Sequence, residues 1–199
     1  MSAMGELKLR FAMIDYIKRS NHPIGLINEI CFLELRHVCE LLSICCLIAR
    51  GDYTTHEALH DDYAPGKIFS ALRKQWEDFF PQDIIVTQEA GGIHIRANTN
   101  KAAVVSQQEI INIWNLSGAL LHRGSISHYM KRQFLDTIFD ARIDAYVSKI
   151  FSLMKLHTIT IETPKTLLLV DLFPPTAKIE LKFLMYGDKG MTVEMFDLK

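Results

Sequence analysis

The sequence predicts an α+β fold: a mainly helical core, a β-hairpin near its middle and an antiparallel β-meander at the C-terminal end. Three observations predict it. Apolar residues recur at three- and four-residue steps through most of the first 155 positions, the period of helices that bury one face. Two β-branched runs flank Ala90-Gly91-Gly92. Beyond residue 155 four strand-like runs follow one another, separated by proline and glycine turns, and helices first with strands last is an α+β order. A chain of 199 residues, 49% hydrophobic and 10% aromatic, is long and apolar enough for one core, so residues 156–199 are expected to pack on the same core as 1–155.

Each element has its own local reason. Leu7, Phe11, Ile14 and Ile17 share one side of a helix over 5–18. Pro23 suits the first turn of the next helix, where its missing N–H has no intrahelical partner. That helix, over 24–50, carries Ile27, Ile30, Cys31, Leu35, Val38, Leu41, Leu42, Cys45 and Ile48 at three- and four-residue steps and is expected to stop at Gly51. Thr54 and Glu57 have capping-box spacing and predict a short helix. Ile68, Phe69, Leu72, Trp76 and Phe79 predict another, halted at Pro81. The hairpin falls at about 84–98. Ser106-Gln107-Gln108-Glu109 is a second capping box and opens a helix through Ile110, Ile113, Trp114 and Leu120. Gly124 and Ser125 interrupt it, and a long helix is expected from about 127 to 155. In the last segment Lys178, Glu180 and Lys182 alternate with Ile179, Leu181 and Phe183, which predicts one face on the helices and one in water.

Charge and composition exclude more than they identify. Lys+Arg 22 against Asp+Glu 23 gives a net charge of -1, which offers no global attraction to nucleic acid or membrane. The most apolar stretch, residues 30–49, carries Glu34, Arg36, His37 and Glu40 and reads as a core helix. The first twenty residues lack the continuous apolar run of a secretory signal, so a cytoplasmic protein is expected. Cys31, Cys39, Cys45 and Cys46 all fall in one predicted helix without CxxC or disulfide spacing, and read as buried apolar residues.

Chemistry points to residues 121–130, LHRGSISHYM. On an unbroken helix Arg123 and His128 would stand roughly 140 degrees apart. The Gly124-Ser125 break lets Arg123 end one helix while His128 opens the next, so both can face one cleft. A helix N-terminus disfavours imidazolium, leaving the His free to accept a proton. Such a pair suits metal-independent RNA cleavage: the imidazole takes the 2′-hydroxyl proton, and the guanidinium stabilises charge on the phosphate oxygens. Tyr129, Lys131 and Arg132 would add phosphate contacts. The competing reading is a polar corner between helices with no chemistry. His56, His60, Asp61 and Asp62 could bind a metal but read better as a solvated loop, His94 as exposed or a cross-strand partner, and Trp76 and Trp114 as core anchors. No Walker loop, GxGxxG, GxSxG or zinc-knuckle spacing is present.

The helical layout with Arg-x4-His at the start of a late helix resembles the HEPN superfamily, which includes ribonucleases of toxin–antitoxin and phage-defence systems as well as non-catalytic modules. Where that family often places Asn after the motif Arg, this chain has Gly124. The segments ICFLELRHVCELLSICCLIARGDY and IWNLSGALLHRGS are similar to an uncharacterised bacterial HEPN-like group with a helical Leu-Arg-x3-Glu element, a Gly-x3-His element and a C-terminal meander. The matching positions are Arg36 and Glu40, and Gly118 and His122. Arg36 and Glu40 lie one turn apart, and either form an intrahelical pair or line a pocket in which Arg36 joins His122 or Arg123 around a phosphate. His122 competes with His128 as the working imidazole. The resemblance implies a metal-independent endoribonuclease in defence or stress, with Arg123 and His128 as the catalytic pair and Arg36, Glu40, His122, Tyr129 and Arg132 in support. It further implies a homodimer with its cleft on the two-fold axis, an RNA or nucleotide ligand, an antitoxin or defence partner, and neither cofactor nor metal. The alternative it leaves open is a non-catalytic module for nucleotide, RNA or protein.

Overall fold

A computed structural model describes residues 3–50, 64–89, 92–100, 104–121, 139–161, 166–174, 179–187 and 190–197. The predicted α+β class holds. Five helices, α1 (Ala3–Lys18), α2 (Ile24–Ala49), α3 (Pro65–Arg73), α4 (Gln107–Leu121) and α5 (Ala141–Lys155), accompany six strands among the described residues. The strands are β1 (Gln82–Glu89), β2 (Gly92–Ala97), β3 (Leu156–Thr160), β4 (Thr166–Asp171), β5 (Glu180–Gly187) and β6 (Gly190–Asp197).

α2 is the centre of the molecule. It packs most extensively against α1 and α4 and also meets α3, α5 and β3. Its inward residues Cys31, Leu35, Val38, Cys39, Leu42 and Cys46 are completely buried, as a helix with neighbours on several sides requires. All four cysteines are free and buried; burial pushes the Cys31 thiol up to about 11 and the Cys45 thiol up to about 12, which makes them inert apolar packing. No helix among the described residues is long and apolar enough to cross a membrane.

Helix ends follow their capping chemistry, with three departures from the sequence reading. The Ser106 box forms in full: the Ser106 N–H donates to Glu109 Oε2 at 2.9 Å and the Glu109 N–H donates to Ser106 Oγ at 3.2 Å. Pro23 is the N-cap of α2 instead of its first helical residue, its carbonyl accepting from the Ile27 N–H at 3.1 Å. α3 stops at Arg73, well short of Pro81. The Gln75 and Trp76 N–H groups both donate to the Leu72 carbonyl, and this tightened turn sends Phe79 back onto Phe69, ring centroids 5.7 Å apart. The helix expected over 127–155 is interrupted at Phe139 and Asp140, which are not helical. Asp140 caps α5 by accepting from the Arg142 N–H at 3.0 Å, while its own N–H donates to the buried Asn28 side chain at 3.0 Å. An aspartate before a periodic apolar run is a start signal, and here it overrides the continuous period read through it. The Thr54–Glu57 box, Gly51 and residues 127–138 lie outside the described residues.

Hairpin and meander turn out to be one antiparallel sheet, in the order β2-β1-β3-β4-β5-β6. The link is short: Gln82 pairs with Thr158 and Asp83 with His157. Gly92, expected in the turn, belongs to β2 and pairs with Glu89. β3 lacks the wet face expected of meander strands, since His157, Thr158, Ile159 and Thr160 are all buried. The turn after α3 reaches this strand at Thr160. Arg50 at the end of α2, its side chain 3% exposed, donates through Nη2 to Asp78 at 2.8 Å and lies over the Trp76 ring. Burial pushes the Asp78 carboxyl up, but hydrogen bonds from Thr160 and Arg50 outweigh it and hold the carboxyl below its ordinary range. Helix end, turn and strand are thus tied at one carboxylate.

His157 is the one histidine sealed in this core among the described residues, with neither ring nitrogen hydrogen-bonded. Burial lowers its pKa to about 4, against a weaker opposing pull from the Met154 backbone, which lies near the ring without hydrogen-bonding geometry. Because the folded value lies below the unfolded 6.5, stability from a neutral ring is complete above pH 6.5 and is lost as pH falls toward 4. The loss expected over that window is on the order of 3 kcal/mol. Urea unfolding of wild type and His157→Leu between pH 7.5 and 4 measures it: the wild type should lose stability faster than the variant, and parallel profiles would refute burial of a neutral imidazole.

Candidate functional site

Of the residues singled out from sequence, Arg36 and Glu40 on α2 are described, and α4 brings Trp114 and Gly118 to them. The expected intrahelical pair forms: Arg36 Nε donates to Glu40 Oε1 at 3.1 Å. Trp114 Nε1–H donates to the same oxygen at 2.8 Å. The Arg36 guanidinium lies over the Trp114 ring, its Cζ 4.2 Å from the centroid. One turn further along α4, a Cβ built on Gly118 would stand 2.4 Å from Arg36 Nη1. Gly118 is therefore there for close approach. Any side chain at that position would occupy the space the guanidinium fills.

Magnitudes show what this arrangement does. An exposed i,i+4 ion pair contributes about 0.3–0.5 kcal/mol, and Arg preceding Glu is the weaker order. A partly shielded guanidinium–indole stack adds about 0.5–2 kcal/mol. Neither sum makes a major stabiliser of the fold. The effect is orientational: Glu40 fixes one edge of the guanidinium, Trp114 one face, and Gly118 leaves room for Nη1. Arg36 is 19% and Glu40 17% exposed, so the group is reachable from solvent without being bathed in it. Among the described residues the side-chain hydrogen bond of the guanidinium is from Nε, and the Nη pair of a guanidinium forms a planar fork of the kind that suits a phosphate or carboxylate.

The catalytic pair read from sequence, Arg123 and His128, lies outside the described residues, as do His122, Tyr129, Lys131 and Arg132. So do His56, His60, Asp61 and Asp62. α4 is described to Leu121, the residue before His122. His94 is exposed on β2, opposite Thr87, as one of its two readings had it. Trp76 and Trp114 do pack against the core, but each also carries an arginine on its ring. Trp114 is the member of the site that the sequence reading missed. The available signal was Trp114 and Gly118 at i,i+4, which puts a broad ring and a gap on one face of α4.

Comparison of the chain with protein-family models, with curated proteins and with solved structures finds no match.

Gly118→Ala separates packing from positioning. Alanine gains about 0.8–1 kcal/mol of helix propensity over glycine, and the atom it strikes is the end of a flexible side chain. Unfolding free energy should stay within about 1 kcal/mol of wild type. The guanidinium, however, must move, so in a Trp76→Phe background the Trp114 fluorescence spectrum should shift. An unshifted spectrum would mean that Gly118 does not hold Arg36 against the indole.

Proposed function

We propose that this chain is a HEPN-like, RNA-directed protein: a metal-independent endoribonuclease in which Arg123 and His128 act on the scissile phosphodiester and Arg36 holds a neighbouring phosphate. The single observation supporting it is the Arg36 guanidinium, set by Glu40, Trp114 and the gap at Gly118 on the helix that leads directly into His122 and Arg123. Its planar fork matches two phosphate oxygens, and stacking on an indole holds it in place. In the reaction the imidazole of His128 takes the 2′-hydroxyl proton, and the 2′-oxygen attacks phosphorus. The bond to the 5′-oxygen breaks as that oxygen gains a proton, leaving a 2′,3′-cyclic phosphate and a 5′-hydroxyl. Arg123 stabilises charge on the non-bridging oxygens, with Tyr129 and Arg132 on flanking phosphates and His122 as the alternative base. The same reading has a cytoplasmic homodimer acting in defence or stress, held in check by an antitoxin or defence partner.

A second reading has one observation in its favour. Glu40 and Trp114 both position the Arg36 guanidinium, which suits a non-catalytic module that binds RNA, nucleotide or a partner protein.

Purified protein incubated with several RNAs in EDTA tests both. The nuclease reading expects fragments with cyclic phosphate ends, cleavage reduced at least about 100-fold in Arg123→Ala and in His128→Ala, and a raised KM with little change in kcat for Arg36→Ala. Intact RNA that still binds wild type but not Arg36→Ala selects the binding module. Neither cleavage nor binding overturns both.

A further inference from the structure

The β1–β2 hairpin is tied to the rest of the sheet at one narrow place. Its strands pair with each other from Ile84–Ala97 to Glu89–Gly92, all beyond the point where β1 leaves β3. At its base the two pairs Gln82–Thr158 and Asp83–His157 join it to β3, whereas β3 pairs with β4 at five positions, Leu156–Asp171 to Thr160–Leu167. β1 also meets α5. The arm is a self-paired hairpin hinged on a two-pair junction.

His157 stands in that junction. It is 0% exposed, and neither ring nitrogen is hydrogen-bonded among the described residues. An aliphatic side chain would fill the space without leaving two polar atoms unpaired, so what the imidazole adds is its capacity to take up a proton in mild acid. A proton on a sealed ring needs a carboxylate or water beside it. The elements packed on β3 offer no free carboxylate. From β1, Asp83 is opposite His157, but its side chain accepts from Asn98 Nδ2 at 2.8 Å and its carbonyl from the Asn98 N–H at 2.9 Å, which commits it to the hairpin. From β4, Asp171, opposite Leu156, accepts the Phe173 N–H at 3.0 Å. From α5 the neighbouring charge is the exposed cation Lys155. At the end of α2, Arg50 is paired with Asp78, and burial keeps the Cys46 thiol neutral. Water is the remaining partner, and it reaches the ring when a neighbouring strand leaves. Parting two pairs costs less than parting five, so β1 leaves before β4.

We propose that His157 is an acid-sensitive latch: protonation of its ring releases the β1–β2 hairpin from β3 while β3 stays paired with β4. The inference is independent of the ribonuclease reading, and it goes beyond a loss of global stability because it locates the first opening. Burial holds the pKa of the ring at about 4, against 6.5 when hydrated, so the docked hairpin is fully favoured above pH 6.5 and release gains as pH falls toward 4. Between pH 7 and pH 5 the ratio of released to docked hairpin rises about 20-fold. Over that span Glu109 beside Lys149 and Asp140 beside Arg142 stay ionised, since each is held below the ordinary carboxylate range.

Amide hydrogen exchange of the full chain, corrected for the intrinsic pH dependence of exchange, reads the opening. The amides that bridge β1 and β3 at residues 82–83 and 157–158 should open about 20-fold more at pH 5 than at pH 7. Amides between β3 and β4 should remain at least about 10-fold better protected than these at pH 5. In His157→Leu the junction should open equally at both pH values. A second measurement does not need that variant: Val86 is 41% exposed on the arm and the four native cysteines are buried, so a nitroxide on Val86→Cys should gain mobility between pH 7 and pH 5. A junction whose opening ignores pH, β3–β4 amides that open together with it, the same pH response in His157→Leu, or an arm equally ordered at both pH values would each overturn the proposal.

Discussion

The close packing of α2 against α4 through a charged side chain is the constraint on which the rest of the candidate site depends. Helices usually approach through apolar residues. Here a guanidinium lies between an indole and a glycine, with a carboxylate accepting from both the guanidinium and the indole. That arrangement is permitted because Gly118 has no side chain, and it is oriented because Glu40 Oε1 can accept from two directions. The energy involved is small beside the burial of α2. What the contact supplies is direction for the guanidinium.

Around this contact the remaining architecture anchors α2 at several points. Near its start, buried Asn28 accepts the backbone N–H of Asp140 and so couples α2 to the cap of α5. Further along, Glu34 meets Arg10 of α1, which also holds Glu6. At the far end Arg50 reaches Asp78 and through it Thr160 of β3. Each polar link spans elements distant in sequence, and each sits at an edge of the apolar core. They are registration devices: burial of Leu35, Val38 and Leu42 would tolerate some sliding of α2, whereas hydrogen-bonded pairs at three heights fix its register against α1, α5 and the sheet.

The sequence reading succeeded where a signal was local and failed where a distant partner decided. The capping box at Ser106 was legible because both of its groups lie within four residues. Buried cysteines were legible from their spacing on one apolar helix. The end of α3 was not, because Trp76 and Phe79 continue a helical period, while the destinations of those rings, Arg50 and Phe69, come from elsewhere. Asp140 was overlooked although its capping chemistry is local, since a long apolar period ran through it. In the candidate site, the Arg36–Glu40 pair follows from one turn of helix, but the face of Trp114 turned to Arg36 could not be deduced from either segment alone.

By itself, the sequence determined the periodic apolar faces, the caps and the strand runs, because each depends on side chains within a few residues of one another along the backbone. It therefore determined the α+β class, the hairpin and the meander. Only the tertiary structure decided that hairpin and meander share one sheet through Gln82–Thr158 and Asp83–His157, that β3 is covered on both sides, and that Arg36 lies in the gap at Gly118. Those outcomes arise from contacts between segments tens of residues apart. Several partners of similar chemistry compete for each such contact, and the packing of the whole core selects among them.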